Sequence, residues 1–263
     1  VTVSGHCYPL TSRVRARAEL TVESGPVADR LRSRGAPPIV LRQTGPHRVH
    51  IVQAAGGPLG GDELALDVHL GAGTSLQLCS AAAMVVQAGR HPAAAQWTVA
   101  VALAAGAVLD WCPEPTVVCD GAELHSSMTV IVQRGARAML REVVMLGRAR
   151  QQGGRYHGEL AVEVDGAPLL HHTVLLDGGD PVLAGPAGTG GARVVGMLVV
   201  VGEDIGGPPE GAGEEPGLRW ACSALECPGW LVLALGDRVT DVTRLLDRVA
   251  QDWSEFRSLL GYS

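Results

Sequence analysis

The chain has 263 residues, 46% hydrophobic but only 3% aromatic, so its core must be built from Val, Leu, Ala and Ile, whose β-branched members favour strands. A net charge of −6 with no basic block argues against a nucleic-acid surface, and the lack of any lysine excludes a P-loop or Schiff-base catalysis. The longest apolar runs, such as Val194 to Val201, fall far short of the roughly 20 residues of a membrane span, and no basic-then-apolar leader opens the sequence. A cytoplasmic protein without membrane contact is therefore expected, its six cysteines free thiols.

The abundance of glycine (35) and proline (16) suits many short elements separated by turns. From Arg13 to Val22 charged and apolar residues alternate, which predicts a strand with one wet and one buried face. Ala36-Pro37-Pro38 leads into a second strand through Arg42, and Thr44-Gly45-Pro46 turns the chain. The stretch GGPLGGDEL, residues 56–64, reads as a turn determined by its backbone that places Asp62 ahead of the alternating strand from Leu64 to Leu70. Gly73, Gly106 and Gly135 each precede an alternating strand, at intervals of 33 and 29 residues. That echo fits stacked solenoid-like layers, and it equally fits the ordinary use of glycine to start a strand. Asp120-Gly121 predicts a hairpin between the strand Thr116 to Cys119 and the strand Met128 to Val132. Residues 203–217 are acidic, glycine-rich and aperiodic, predicting an exposed mobile loop. From Val242 to Leu260 apolar residues recur every three or four positions, predicting an amphipathic helix over about 239–260, with Trp253 and Phe256 anchoring it to the β body. The expected architecture is thus mainly β: one domain over residues 1–263, with stacked strands from about 12 to 236 and a C-terminal amphipathic helix.

Few residues suggest chemistry. Cys112, Cys119 and His125 are separated by 7 and 6 residues, which matches no zinc pattern, and the cysteines are read as small buried apolar groups. Cys222 and Cys227 lack a neighbouring histidine, and no G-x-S-x-G nucleophile turn exists. One of the adjacent pair His171 and His172 must point inward, either bonded to a backbone carbonyl or as a transient metal contact. Glu142 shares the apolar strand face of Leu140, Val144 and Leu146, and Arg141 takes the other. A carboxylate there is costly unless an arginine pairs with it or the core holds a wet passage.

Taken in order, Ala36-Pro37-Pro38 to Arg42, GGPLGGDEL, Trp111-Cys112-Pro113-Glu114-Pro115-Thr116, Leu140 to Arg148 (LREVVMLGR) and Pro168-Leu169-Leu170 resemble the urease accessory protein UreD family, also called UreH, in its actinobacterial form. The resemblance implies an elongated stack of strands without enzymatic activity. It implies a scaffold that binds UreF, and through it the GTPase UreG, as a 2:2:2 assembly docked on apo-urease. It also implies a water-filled internal tunnel that relays Ni²⁺, in transit and with no tightly bound cofactor, to the urease active site. Asp62 matches the family's tunnel carboxylate after Gly-Gly, Glu142 an acidic tunnel position, and His172 a position where some relatives carry glutamate. A conduit suits few oxygen or nitrogen ligands, since a full thiolate or imidazole set would trap the ion. The competing reading is a β-solenoid interaction or carbohydrate-binding module, which would work through exposed aromatics; the chain has five Trp, three Tyr and one Phe.

Overall fold

The computed structural model describes residues 13–203, 205, 207, 210–226, 229–251 and 253. In chain order the strands are β1 (Arg15–Glu23), β2 (Arg30–Arg34), β3 (Ile39–Gly45), β4 (Arg48–Gln53), β5 (Glu63–Leu70), β6 (Ser75–Ser80), β7 (Met84–Val86), β8 (Ala95–Leu103) and β9 (Val108–Cys112). They continue as β10 (Thr116–Val118), β11 (Glu123–Val132), β12 (Arg137–Leu146), β13 (Arg155–Val164), β14 (Ala167–Asp177), β15 (Val194–Val201), β16 (Gly211–Glu215), β17 (Leu218–Ala224) and β18 (Gly229–Gly236). The helix α1 (Val239–Gln251) follows.

Two sheets face each other. One has seven strands in the order β14-β13-β11-β8-β5-β1-β2; the other runs β16-β17-β18-β15-β12-β9-β6-β4-β3, with β7 and β10 paired beside β12. Between β5 and β13 the chain passes back and forth between the sheets and stacks in parallel on the preceding coil, as β5, β8, β11 and β13 do on one side and β6, β9 and β12 on the other. The 33- and 29-residue echo is therefore a true structural repeat. Gly73, Gly106 and Gly135 stack at one corner with φ of 68°, 70° and 73°, and two residues beyond them Ser75, Val108 and Arg137 lie side by side in register. Glycine, lacking a Cβ, is what admits the left-handed backbone at each corner.

The core fills the space between the sheets. β1 shows how alternation builds it: Ala16, Ala18, Leu20 and Val22 are buried, and Arg15, Arg17 and Glu19 face out. A second apolar layer forms on the outer face of the larger sheet, where α1 buries Val242, Leu245, Leu246 and Ala250 against β15, β18 and β12. Glycine makes the seat. A Cβ at Gly196 would lie 2.4 Å from Val242 Cγ1, and one at Gly236 would lie 2.6 Å from Val242 Cγ2. Trp253 is buried beside Trp230, with ring centroids 6.5 Å apart. The helix begins where its periodicity predicts; the expected extension to 260, with Phe256, lies outside the described residues apart from Trp253.

Two local expectations are corrected. Residues 211–215, expected within a mobile acidic loop, form β16, paired antiparallel with β17. Pairing requires only backbone groups, and Gly213 leaves its upper face to the Trp220 ring, so no side-chain periodicity announces the strand. Asp120-Gly121 does form a tight turn, closed by Ala122 N–H donating to Cys119 O at 3.0 Å, but the strands it joins are not a hairpin. β10 pairs with β7 and β12 in one sheet, and β11, starting at Glu123, belongs to the other. The turn is a corner of the coil.

Candidate functional site

Glu142 lies near the middle of β12, where Leu140, Val144 and Leu146 turn their side chains into the inter-sheet core. Arg141 faces the opposite way. There its Nη1 bonds Asp247 of α1, and its Nη2 approaches the Cys112 and Pro113 carbonyls at 3.4 and 3.5 Å. Among the described residues no arginine pairs with Glu142, and it makes no ion pair. Its carboxyl meets a cavity of about 50 Å³ between the sheets, room for a few water molecules.

Both sheets contribute to this cavity. Trp97 of β8, Ser126 of β11 and Tyr156 of β13 come from the smaller sheet, facing Glu142, Trp111 and Gln53 of the larger. Glu142 is half-buried and lines this space, and burial raises its pKa from 4.5 to about 7. The Tyr156 phenol is pushed well above its usual range by burial first and by the charge of Glu142 second, with a hydrogen bond to Ser126 acting against both. Trp111 is 2% exposed, and its Nε1–H finds no acceptor among the described residues. An orphaned buried donor costs about 1–3 kcal/mol, a cost that an acceptor in the adjoining cavity would remove. Two lining residues, Ala82 and Glu114, are exposed and mark where the cavity meets the surface. There the Glu114 N–H donates to Ser80 Oγ at 2.9 Å.

Asp62 is placed by the glycine-rich turn as a backbone clamp. It is 6% exposed, with Oδ1 accepting from Val14 N–H and Oδ2 from Leu59 N–H, both at 2.9 Å. These bonds tie the entry of β1 to the loop before β5. The turn also packs tightly: a Cβ at Gly60 would fall 2.5 Å from the His91 carbonyl oxygen, and Gly61 has φ of 85°. Asp62 does not line the Glu142 cavity, although its carbonyl accepts from Gln96 N–H at 2.7 Å, next to the cavity residue Trp97. Glu63 faces the other way and pairs with Arg15 at the surface.

His172 sits on the edge strand β14, opposite Leu160 of β13. It is the inward member of its pair and His171 is exposed. Its Nε2 is buried without a partner among the described residues, and burial lowers its pKa, so the ring is neutral near pH 7. It does not line the Glu142 cavity either. Of the three residues singled out in the sequence, only Glu142 thus opens on that space. Sequence reasoning overlooked Ser126, Tyr156 and Trp97, because strand periodicity does not say which residues face one another across two sheets. Glu114 was within sight, inside the Trp111 to Thr116 segment.

Compared with known proteins, residues 14–261 match the family model described as UreD urease accessory protein. The urease accessory protein UreD of Frankia alni is 39% identical, covering 92% of this chain and 95% of its own. That of a Parafrankia species is 37% identical, covering 94% and 92%. The urease accessory protein UreD 2 of Saccharopolyspora erythraea is 35% identical over 93% of this chain. Because these matches span nearly the whole chain, the two-sheet coil and the cavity around Glu142 are those of a member of the UreD urease accessory protein family.

Proposed function

We propose that this chain is a non-catalytic maturation scaffold for urease, relaying Ni²⁺ through its interior with Glu142 as the inner ligand. What carries the reading is the unneutralised carboxyl of Glu142 on a cavity between two sheets. A buried acid with a pKa of about 7 is partly neutral when alone, which limits the cost of keeping it there. An arriving divalent cation favours the carboxylate and displaces its proton; departure of the ion lets the proton return. One oxygen donor without thiolates or imidazoles around it holds such an ion weakly, as transit demands. The ion enters beside the exposed Glu114 and meets Glu142 next.

Asp62 and His172 belong to the same proposed path with smaller parts. Each Asp62 oxygen already accepts one backbone hydrogen bond, so this carboxylate offers an ion only its remaining lone pairs. The neutral His172 ring offers one buried nitrogen. UreF, with UreG through it, and apo-urease are the partners, in a 2:2:2 assembly in the cytoplasm. The alternative, a carbohydrate-binding module, is disfavoured because among the described residues no Trp or Tyr is exposed.

The test is to mature urease with the Glu142→Gln chain in place of the parent and to assay three quantities. The accessory complex should still co-purify with UreF, nickel in the recovered urease should fall, and activity should fall with it. Full nickel loading by the variant would defeat the relay, and failure of the parent chain to bind UreF or apo-urease would defeat the scaffold.

A further inference from the structure

We propose that Cys79 and Cys112 form a vicinal dithiol that closes reversibly to a disulfide by exchange with a small-molecule disulfide, cross-linking β6 to β9. The two residues are in-register partners on parallel neighbouring strands, so both side chains leave the same face of the larger sheet. Adjacent strands lie about 4.8 Å apart, within the roughly 4.4–6.8 Å that a disulfide spans between Cα atoms. Their sulfurs are 2.8 Å apart, one thiol donating to the other. Closing the bridge therefore asks for side-chain rotation and little backbone movement.

The pair is also reachable and primed. Both residues are half-buried, and a cleft of about 200 Å³ lined by Gln77, Asp110, Arg141 and Asp247 runs to Cys112. Cys119 and Cys222, by contrast, are buried. The Cys112 thiol, by hydrogen-bonding to Cys79, makes Cys79 the more easily ionised member, with burial and Asp110 opposing and Arg48 and Arg141 assisting. The same bond, with burial, raises the Cys112 thiol, which favours Cys79 as the attacking thiolate.

In the reaction, the Cys79 thiolate attacks one sulfur of the small disulfide, forming a mixed disulfide and expelling one thiol. Cys112 then attacks Cys79 Sγ, the mixed bond breaks and the second thiol leaves. The two cysteines lose two electrons, the small disulfide gains two, and the pair's two protons end on the released thiols. The new bond sits behind the cavity wall, because Ser80 follows Cys79, and Trp111 and Pro113 flank Cys112.

The experiment uses the intact chain, fully reduced, then exposed to oxidised glutathione, alkylated and mapped by peptide mass. Expected are the loss of two alkylatable thiols, a linked peptide pair carrying Cys79 and Cys112, no lasting glutathione adduct on either, and recovery of both thiols with reductant. Cys112→Ser should trap a stable glutathione adduct on Cys79, since nothing remains to resolve it. Unchanged alkylation of both residues, persistent adducts on both in the parent chain, or a bridge to another cysteine would each overturn the proposal. The mapping of the parent chain stands even if a serine variant folds poorly.

Discussion

Replacing Glu142 by Gln isolates the electrostatic cost of the cavity carboxylate with almost no change of shape. The folded-state pKa is raised from 4.5 to about 7 by burial, and among the described residues no cation offsets it. Below pH 4.5 both folded and unfolded chains hold the proton, so the glutamate carries no penalty. As pH rises from 4.5 to about 7 the unfolded chain ionises first, and stability is lost across that window; above it the loss is complete. At about 1.4 kcal/mol per pH unit, the elevation corresponds to about 3 kcal/mol. Glu142→Gln should therefore match the parent near pH 4 and exceed it by about 3 kcal/mol at pH 8, a difference of roughly 2–4 °C in melting temperature for each kcal/mol. Urea unfolding of both chains at pH 4, 6 and 8 measures this, because titrations common to the two cancel in the difference. A pH-independent difference, or a variant weaker than the parent at pH 8, would show that Glu142 is paired in the folded protein and would refute the reasoning.

The clamp at Asp62 predicts a contrast with its neighbour. Asp62→Ala orphans the amides of Val14 and Leu59 and should cost about 3 kcal/mol in urea unfolding, since each hydrogen bond to a charged acceptor contributes about 1.5–3 kcal/mol. Glu63→Ala removes only the exposed pair with Arg15 and should cost under about 1 kcal/mol; equal effects would contradict the clamp. Gly196→Val drives a side chain into Val242, and overpacking of this kind costs about 1–3 kcal/mol. Amide exchange within α1 should accelerate selectively in that variant, and unchanged protection would mean that the helix does not depend on the glycine seat.

Much of the fold was legible because it follows from local rules. Alternation placed β1 and β5, put Glu142 inward and Arg141 outward on β12, and a 3.6-residue period placed the start of α1. The glycine echo carried more than its use in locating strands. Cys79 and Cys112 are separated by the same 33 residues as Gly73 and Gly106, so a repeat accepted as real would have stacked the two thiols. Reading cysteines by their nearest neighbours in sequence, as with Cys112 and Cys119, could not find that pair.

The sequence by itself thus determined which residues extend, which face each strand buries, and where a carboxylate would be out of place. Tertiary structure decided the rest: that Asp120-Gly121 turns a corner between sheets, that residues 211–215 find a strand partner, and that Asp62 spends its oxygens on two amides. It also decided that Glu142 meets Tyr156 and Ser126 across a shared cavity. The physical reason is one of range. Side-chain alternation is imposed by the backbone of a single strand, whereas sheet membership and the spaces between sheets depend on contacts between residues far apart in the chain.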